Sequence, residues 1–157
     1  MGRRTFVPGH KYFRWDLHNY FGGQHQGGIS TPPQHSIIFL FSNTQERGFE
    51  CISPGKAGPV YHYIGEGETG DMTLSRGNLS VVSHVRRMKD LHLFEEIGYG
   101  WVRYIGQMVC LGHEWWRGVD LLGRTRKVVV FKLAEIGALS RKEISSEEDP
   151  TRLLGVS

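Results

Sequence analysis

The chain has 157 residues, 39% of them hydrophobic, with 21 glycines and a formal charge of +3. That length suits one domain with a real core, and no apolar run is long enough to span a membrane. The start, Met1-Gly2-Arg3-Arg4-Thr5, has no apolar stretch of a secretory leader, and two cysteines (Cys51 and Cys110) are too few for a disulfide framework. A cytoplasmic setting with reduced thiols is the expectation.

Residues 1–11 read as a loose arm. Over 12–21 the apolar positions Phe13, Leu17 and Tyr20 or Phe21 recur at helical spacing, and Gly22-Gly23 supplies a stop. A polar Gly/Pro loop follows over 24–33. Residues 35–41 (His-Ser-Ile-Ile-Phe-Leu-Phe) read as a buried strand, and 42–59 as a long connection. Residues 60–64 then form a β-branched and aromatic strand that runs into Gly65-Glu66-Gly67-Glu68-Thr69-Gly70-Asp71. Asp71 is positioned to cap a helix over 73–88, with Leu74, Val81, Val82 and Val85 on one face and Arg76, Asn78, Arg86 and Arg87 on the other. Three more strands are expected over 91–96, 100–110 and 127–133, with a bulge near Gly106. A hairpin-like excursion over 111–126 carries Trp115 and Trp116 and turns at Gly123-Arg124. After Leu133 the apolar pattern fades, so 134–157 reads as an extension or linker. The predicted fold class is α+β, mainly β: a curved, largely antiparallel sheet or partial barrel with two flanking helices.

Gly65, Gly67 and Gly70 satisfy the dinucleotide fingerprint G-x-G-x-x-G. Glu66 and Glu68 would place two carboxylates in a pyrophosphate cradle, and the later βαβ units are missing. A tight turn that needs glycine is the better account, so no cofactor is expected. Eight histidines invite a zinc-enzyme reading, but no Cys pair or His-x-x-x-His spacing supplies three ligands, and neither a His-Asn-His nuclease block nor a Gly-x-Ser-x-Gly elbow is present. No metal and no catalytic residue are therefore expected. Residues 1–133 carry 16 Lys/Arg against 11 Asp/Glu, a basic body that suits a polyanion.

Asp16-Leu17-His18, Phe21 to Ser30, residues 35–41, Tyr63-Ile64-Gly65-Glu66-Gly67, Gly70-Asp71-Met72, Arg76-Gly77-Asn78 and Lys89 to Glu95 form an ordered set of blocks. Taken together they resemble the SRA (SET and RING associated) superfamily, in particular the bacterial branch joined to HNH nucleases. The likeness covers roughly residues 12–133. It implies a reader of double-stranded DNA with modified cytosine, either 5-methyl or 5-hydroxymethyl, which extrudes the base and holds it between two rings. It also implies a fused or partner HNH nuclease as the cutting element.

Carried over by residue, the resemblance makes Tyr63 and Phe49 the two rings. Ile64, Gly65, Asp71 and Glu50 complete the pocket, with Glu50 or Asp71 accepting from the base edge. Gln24, His25 and Gln26 are expected on one groove loop, and Ser42 and Asn43 begin a second that runs to Arg47. Arg14, Arg76, Arg86 and Lys89 are the expected phosphate contacts. An RNA-binding module of the PUA/EVE barrel type is the alternative.

Overall fold

The structure is a computed structural model. It describes residues 6–43, 49–55 and 58–137, the segments 49–55 and 58–59 as backbone. The elements are β1 (Lys11–Phe13), α1 (Arg14–Phe21), β2 (Ile29–Ser30), β3 (Ile37–Ser42), β4 (Phe49–Gly55), β5 (Gly58–Ile64), α2 (Arg76–Val82), β6 (Asp90–Gly98), β7 (Trp101–Val119) and β8 (Thr125–Glu135). They build one sheet in the order β2-β3-β6-β7-β8-β5-β4, with β1 added beside β7. Every pairing is antiparallel except β3 with β6.

The run Ile37-Ile38-Phe39-Leu40-Phe41 is apolar throughout because β3 is covered on both faces. Ile38 and Leu40 enter a cluster with Tyr63, Val81, Leu93, Val129 and Phe131. Phe39 and Phe41 point the other way, as the period of two demands, into an aromatic cluster with Leu17, Phe21, Phe94 and Tyr104. α1 covers this second face, and α2 covers the first.

Several expectations are corrected. The presumed loose arm contributes Phe6, which is 8% exposed and packs edge-on against Tyr12, Phe39 and Phe94. The connection before β5 contains β4. The excursion over 111–126 is a hairpin as expected, formed by the outer half of one long strand, β7, and the start of β8, and its turn falls at Asp120–Arg124, where the Gly123 N–H donates to the Asp120 carbonyl. The helix predicted over 73–88 is confined to α2, and Val85 is exposed instead of packed. Asp71 does not cap it, since Ser75 holds that position and Asp71 accepts from the Lys127 N–H. The bulge near Gly106 is present as a register shift, with Gly106 opposite Leu93 and Tyr104 opposite Phe94.

After α2 the chain is tied back by His84. Its Nδ1 lies 2.9 Å from the Lys89 carbonyl and its Nε2 accepts from the Cys110 N–H at 3.1 Å, which specifies one neutral tautomer. Burial lowers its pKa in the same direction. Burial also pushes the Cys110 thiol up to about 11, the fate of a packed cysteine and not of a nucleophile.

Candidate nucleic-acid interface

β5 delivers the residues on which the sequence reading rested. Tyr63 pairs in register with Phe49 on β4 and with Phe131 on β8. Its side chain is fully buried, and its hydroxyl lies 2.8 Å from the Gly28 carbonyl and 2.9 Å from the Phe41 carbonyl, donating to one at a time. β5 and β3 are not sheet neighbours, so this contact ties together the two ends of the curled sheet. The expected open stacking ring is therefore corrected: in this structure Tyr63 presents no free face. The backbone spacing agrees, because directly paired residues have Cα atoms about 4.5–5.5 Å apart. A base stacked on both sides at about 3.5–4 Å needs more room than that. The side chains of Phe49 and Glu50 lie outside the described residues.

Gly65 follows, and its N–H donates to the Val129 carbonyl. A Cβ there would come within 2.5 Å of Val129 Cγ1 and 2.6 Å of Asn78 Oδ1, which is why the motif needs glycine. Asn78, 2% exposed, accepts from the Glu66 N–H and donates to the Glu66 and Thr73 carbonyls, each at 2.9 Å. The Glu66 carboxylate packs against Gly77, and burial raises its pKa, offset in part by the Gly77 N–H. The Gly-x-Gly turn and Arg76-Gly77-Asn78 thus form one latch. No dinucleotide cradle results, since β5 runs antiparallel to both its neighbours.

The remaining predicted residues scatter. Ile64 is half-buried beside the first core. Asp71 lies nearer the start of β8 than Tyr63, and its Oδ1 is taken by Lys127 N–H at 2.8 Å. Gln24 is spent on Thr31, accepting from its N–H at 2.8 Å. His25 is exposed between Trp15 and His18, and Gln26 is exposed. Ser42 is corrected from a groove contact to the buried last residue of β3, with no hydrogen-bond partner for its hydroxyl among the described residues. Asn43 donates to Glu96 at 3.4 Å, and 44–47 lie outside the described residues.

Arg14 is likewise corrected. Its guanidinium lies 3.8 Å over the Phe41 ring, donates to His18 Nε2 and the Gln24 carbonyl, and faces Glu96 at 3.6 Å. Burial, with added repulsion from Arg14 and His25, lowers the His18 pKa against the opposing Gly22 carbonyl, as suits a ring that accepts from Arg14. Arg76 and Arg86 remain exposed and Lys89 half-exposed, so these three stay available to a polyanion.

Sequence reasoning gave no role to the outer half of β7 and β8. Beside the 71–73 segment this hairpin forms an open groove of about 850 Å³ lined by Trp115, Trp116, Arg117, Arg126 and Lys127. Two adjacent indoles flanked by cations were the available signal. The hairpin turn is organised by Asp120, whose carboxylate accepts from the Gly70, Leu122 and Arg124 N–H groups. The Gly70 and Arg124 N–H groups, ahead of that of Leu122, hold its pKa down to about 2 from the ordinary 3.8. A depressed carboxyl stabilises above its unfolded value and loses that contribution as pH falls through the folded one. Protection factors of the Gly70, Leu122 and Arg124 amides, corrected for the intrinsic rate at each pH, should therefore fall between about pH 4 and pH 2, ahead of those of the β3 and β6 core amides.

Among the described residues no group of three or more His, Cys, Asp or Glu could hold a metal ion, and no helix is long and apolar enough to cross a membrane.

The chain belongs to the ScoMcrA-like SRA domain family, whose model matches residues 8–151. No curated protein sequence matches it significantly. Among solved structures, the sulfur binding domain and SRA domain of ScoMcrA complexed with phosphorothioated DNA is 20% identical, with a TM-score of 0.66 over 83% of this chain and 40% of that one. The type IV phosphorothioation-dependent restriction endonuclease ScoMcrA is also 20% identical, with a TM-score of 0.67 over 83% of this chain and 24% of that chain. The SUVH5 SRA domain in complex with hemi-methylated CG DNA is 20% identical, with a TM-score of 0.58 over 85% of this chain and 90% of that one. At such identities these likenesses show the fold. The chain spans 40% and 24% of the two ScoMcrA chains it resembles.

Proposed function

We propose that this chain binds double-stranded DNA and reads a modified cytosine, 5-methyl or 5-hydroxymethyl, by taking the base out of the helix. It serves as the recognition part of a modification-dependent restriction system in which a fused or partner HNH nuclease cuts. The observation that supports this reading is the family itself, together with relatives captured on phosphorothioated and on methylated DNA.

The base enters between the free edges of the curled sheet, β2 and β4, and stacks on one ring, since the register partners Phe49 and Tyr63 stand too close to sandwich it. Entry displaces the Tyr63 hydroxyl from its carbonyl partners, so binding is coupled to opening. Stacking on the exposed ring returns about 1–3 kcal/mol toward an extrusion cost of a few kcal/mol. Glu50 accepts from the base edge, and Arg76, Arg86 and Lys89 hold phosphates, adding affinity without sequence choice.

A gel-shift series on one duplex tests this, with a central C, methyl-C or hydroxymethyl-C and, separately, a phosphorothioate linkage. The expected result is tighter binding of a modified cytosine, reduced about tenfold or more by Phe49→Ala through weaker stacking. Equal affinity for all three cytosines would overturn the reading. Preference for the phosphorothioate alone would move the recognised mark to the backbone, and equal binding of a modified RNA hairpin would favour an RNA module.

A further inference from the structure

The β7–β8 hairpin carries features that the proposed base pocket does not use. Trp115 is 44% exposed, and its register partner Val129 continues the inner face of the sheet. Arg117 and Lys127 are register partners two residues further out and are both exposed. The Trp116 Nε1–H donates to Glu114 and its ring meets His62 edge-on at 4.8 Å, so this indole is fixed in place. Asp71 is the acidic residue lining the groove, and its Oδ1 already accepts from the Lys127 N–H. Arg117, Arg126 and Lys127 line the same groove.

The hairpin is also joined to the Gly-x-Gly loop. Leu121 N–H donates to the Glu68 carbonyl, Met72 N–H to the Lys127 carbonyl, and Arg126 Nη1 to the Gly67 carbonyl. Hairpin and loop therefore form one hydrogen-bonded projection.

We infer that this groove is a second DNA-contacting element, which takes the backbone of the duplex flanking the modified nucleotide. Phosphates lie on Arg117 and Lys127, and a sugar or base face lies against Trp115. Two exposed cations beside an exposed indole on one sheet face, with the nearby Asp71 carboxylate already hydrogen-bonded, suit a strand of phosphates and rings. The reach is defined. From Val129, where Gly65 leaves β8, to Thr125 is four residue steps, roughly 14 Å of strand. At about 3.4 Å per base step along one strand, that covers on the order of four base pairs.

The inference rests on the proposed DNA reading, and its test separates the two. The full chain and its Arg117→Gln/Lys127→Gln variant are titrated with long duplexes, modified and unmodified, and with duplexes cut to two base pairs on one side or the other of the mark. Both side chains are exposed, so the fold is kept. The variant should bind long duplexes about tenfold more weakly at low salt, by the same factor for modified and unmodified DNA. Its log–log salt slope should fall by about 2, because two phosphates are no longer neutralised. Truncation on one side alone should erase the difference between variant and wild type. Unchanged affinity and slope in the variant would overturn the inference, as it would if the groove instead held a protein. Loss of discrimination between modified and unmodified DNA in the wild type, with the variant still weakened, would sink the modified-base reading and leave the groove standing.

Discussion

Tyr63→Ala destabilises the domain by about 3–5 kcal/mol, the cost of deleting a large, fully buried aromatic ring. For a chain of this size that lowers the melting temperature by roughly 6–20 °C, since each kcal/mol moves it by about 2–4 °C. The ring packs in the first core, with Phe131 and Phe49 as register partners, and the hydroxyl bridges to the far end of the sheet. Tyr63→Phe separates the two contributions. It keeps the ring and removes only the hydroxyl, while the Gly28 carbonyl still receives the Phe41 N–H at 2.7 Å. The expected cost is about 1 kcal/mol. Denaturant unfolding of both variants checks this; a loss below about 1 kcal/mol for Tyr63→Ala would show that the residue does not tie the sheet ends together. The consequence for function is direct. Tyr63→Ala confounds unfolding with impaired recognition, whereas Tyr63→Phe changes the closure and leaves the stacking face, so altered DNA binding in that variant reports on the opening step.

The strands that carry continuous apolar runs were legible in the sequence, because burial on both faces leaves no polar interruption. β3 is the clearest case, followed by Val128-Val129-Val130-Phe131 of β8. β4 was not legible: Phe49-Glu50-Cys51-Ile52-Ser53-Pro54-Gly55 lies at the sheet edge opposite β5, and its Pro and Gly read as a connection. The helical pattern over 73–88 misled because Val85 continues the spacing after α2 has stopped at Val82 and the chain has turned on His84. At the site, the glycines and Asn78 were visible as a motif, but their shared job was not. It depends on a helix side chain reaching back to a loop twelve residues earlier. Arg14 and Ser42 illustrate the limit of reading polar residues as surface contacts. A guanidinium can stack on a phenyl ring and a serine can end a buried strand, and neither leaves a trace in local composition.

Asn78→Ala should cost about 3 kcal/mol, although it removes a side chain of modest size. Both amide hydrogens and one lone pair of the carbonyl oxygen are engaged, and the pattern admits only one amide orientation, since Oδ1 faces an N–H and Nδ2 faces two carbonyls. Truncation leaves the Glu66 N–H and two carbonyls without their partner at a site from which water is largely excluded, and one unsatisfied buried group alone costs about 1–3 kcal/mol. Asn78→Asp gives the sharper test, because it keeps the shape and replaces the Nδ2 donor with an oxygen that faces the Glu66 and Thr73 carbonyls. The ionised acid is repelled there, so its folded pKa rises above the unfolded value of about 3.9. A raised carboxyl destabilises as pH climbs from that unfolded value through the folded one and recovers on acidification. Stability of Asn78→Asp relative to wild type should therefore improve as pH is lowered from about 7 toward 4, whereas Asn78→Ala shows no such trend. A flat profile for both variants would mean that the Gly-x-Gly loop is held by Gly65 and Val129 without help from the helix.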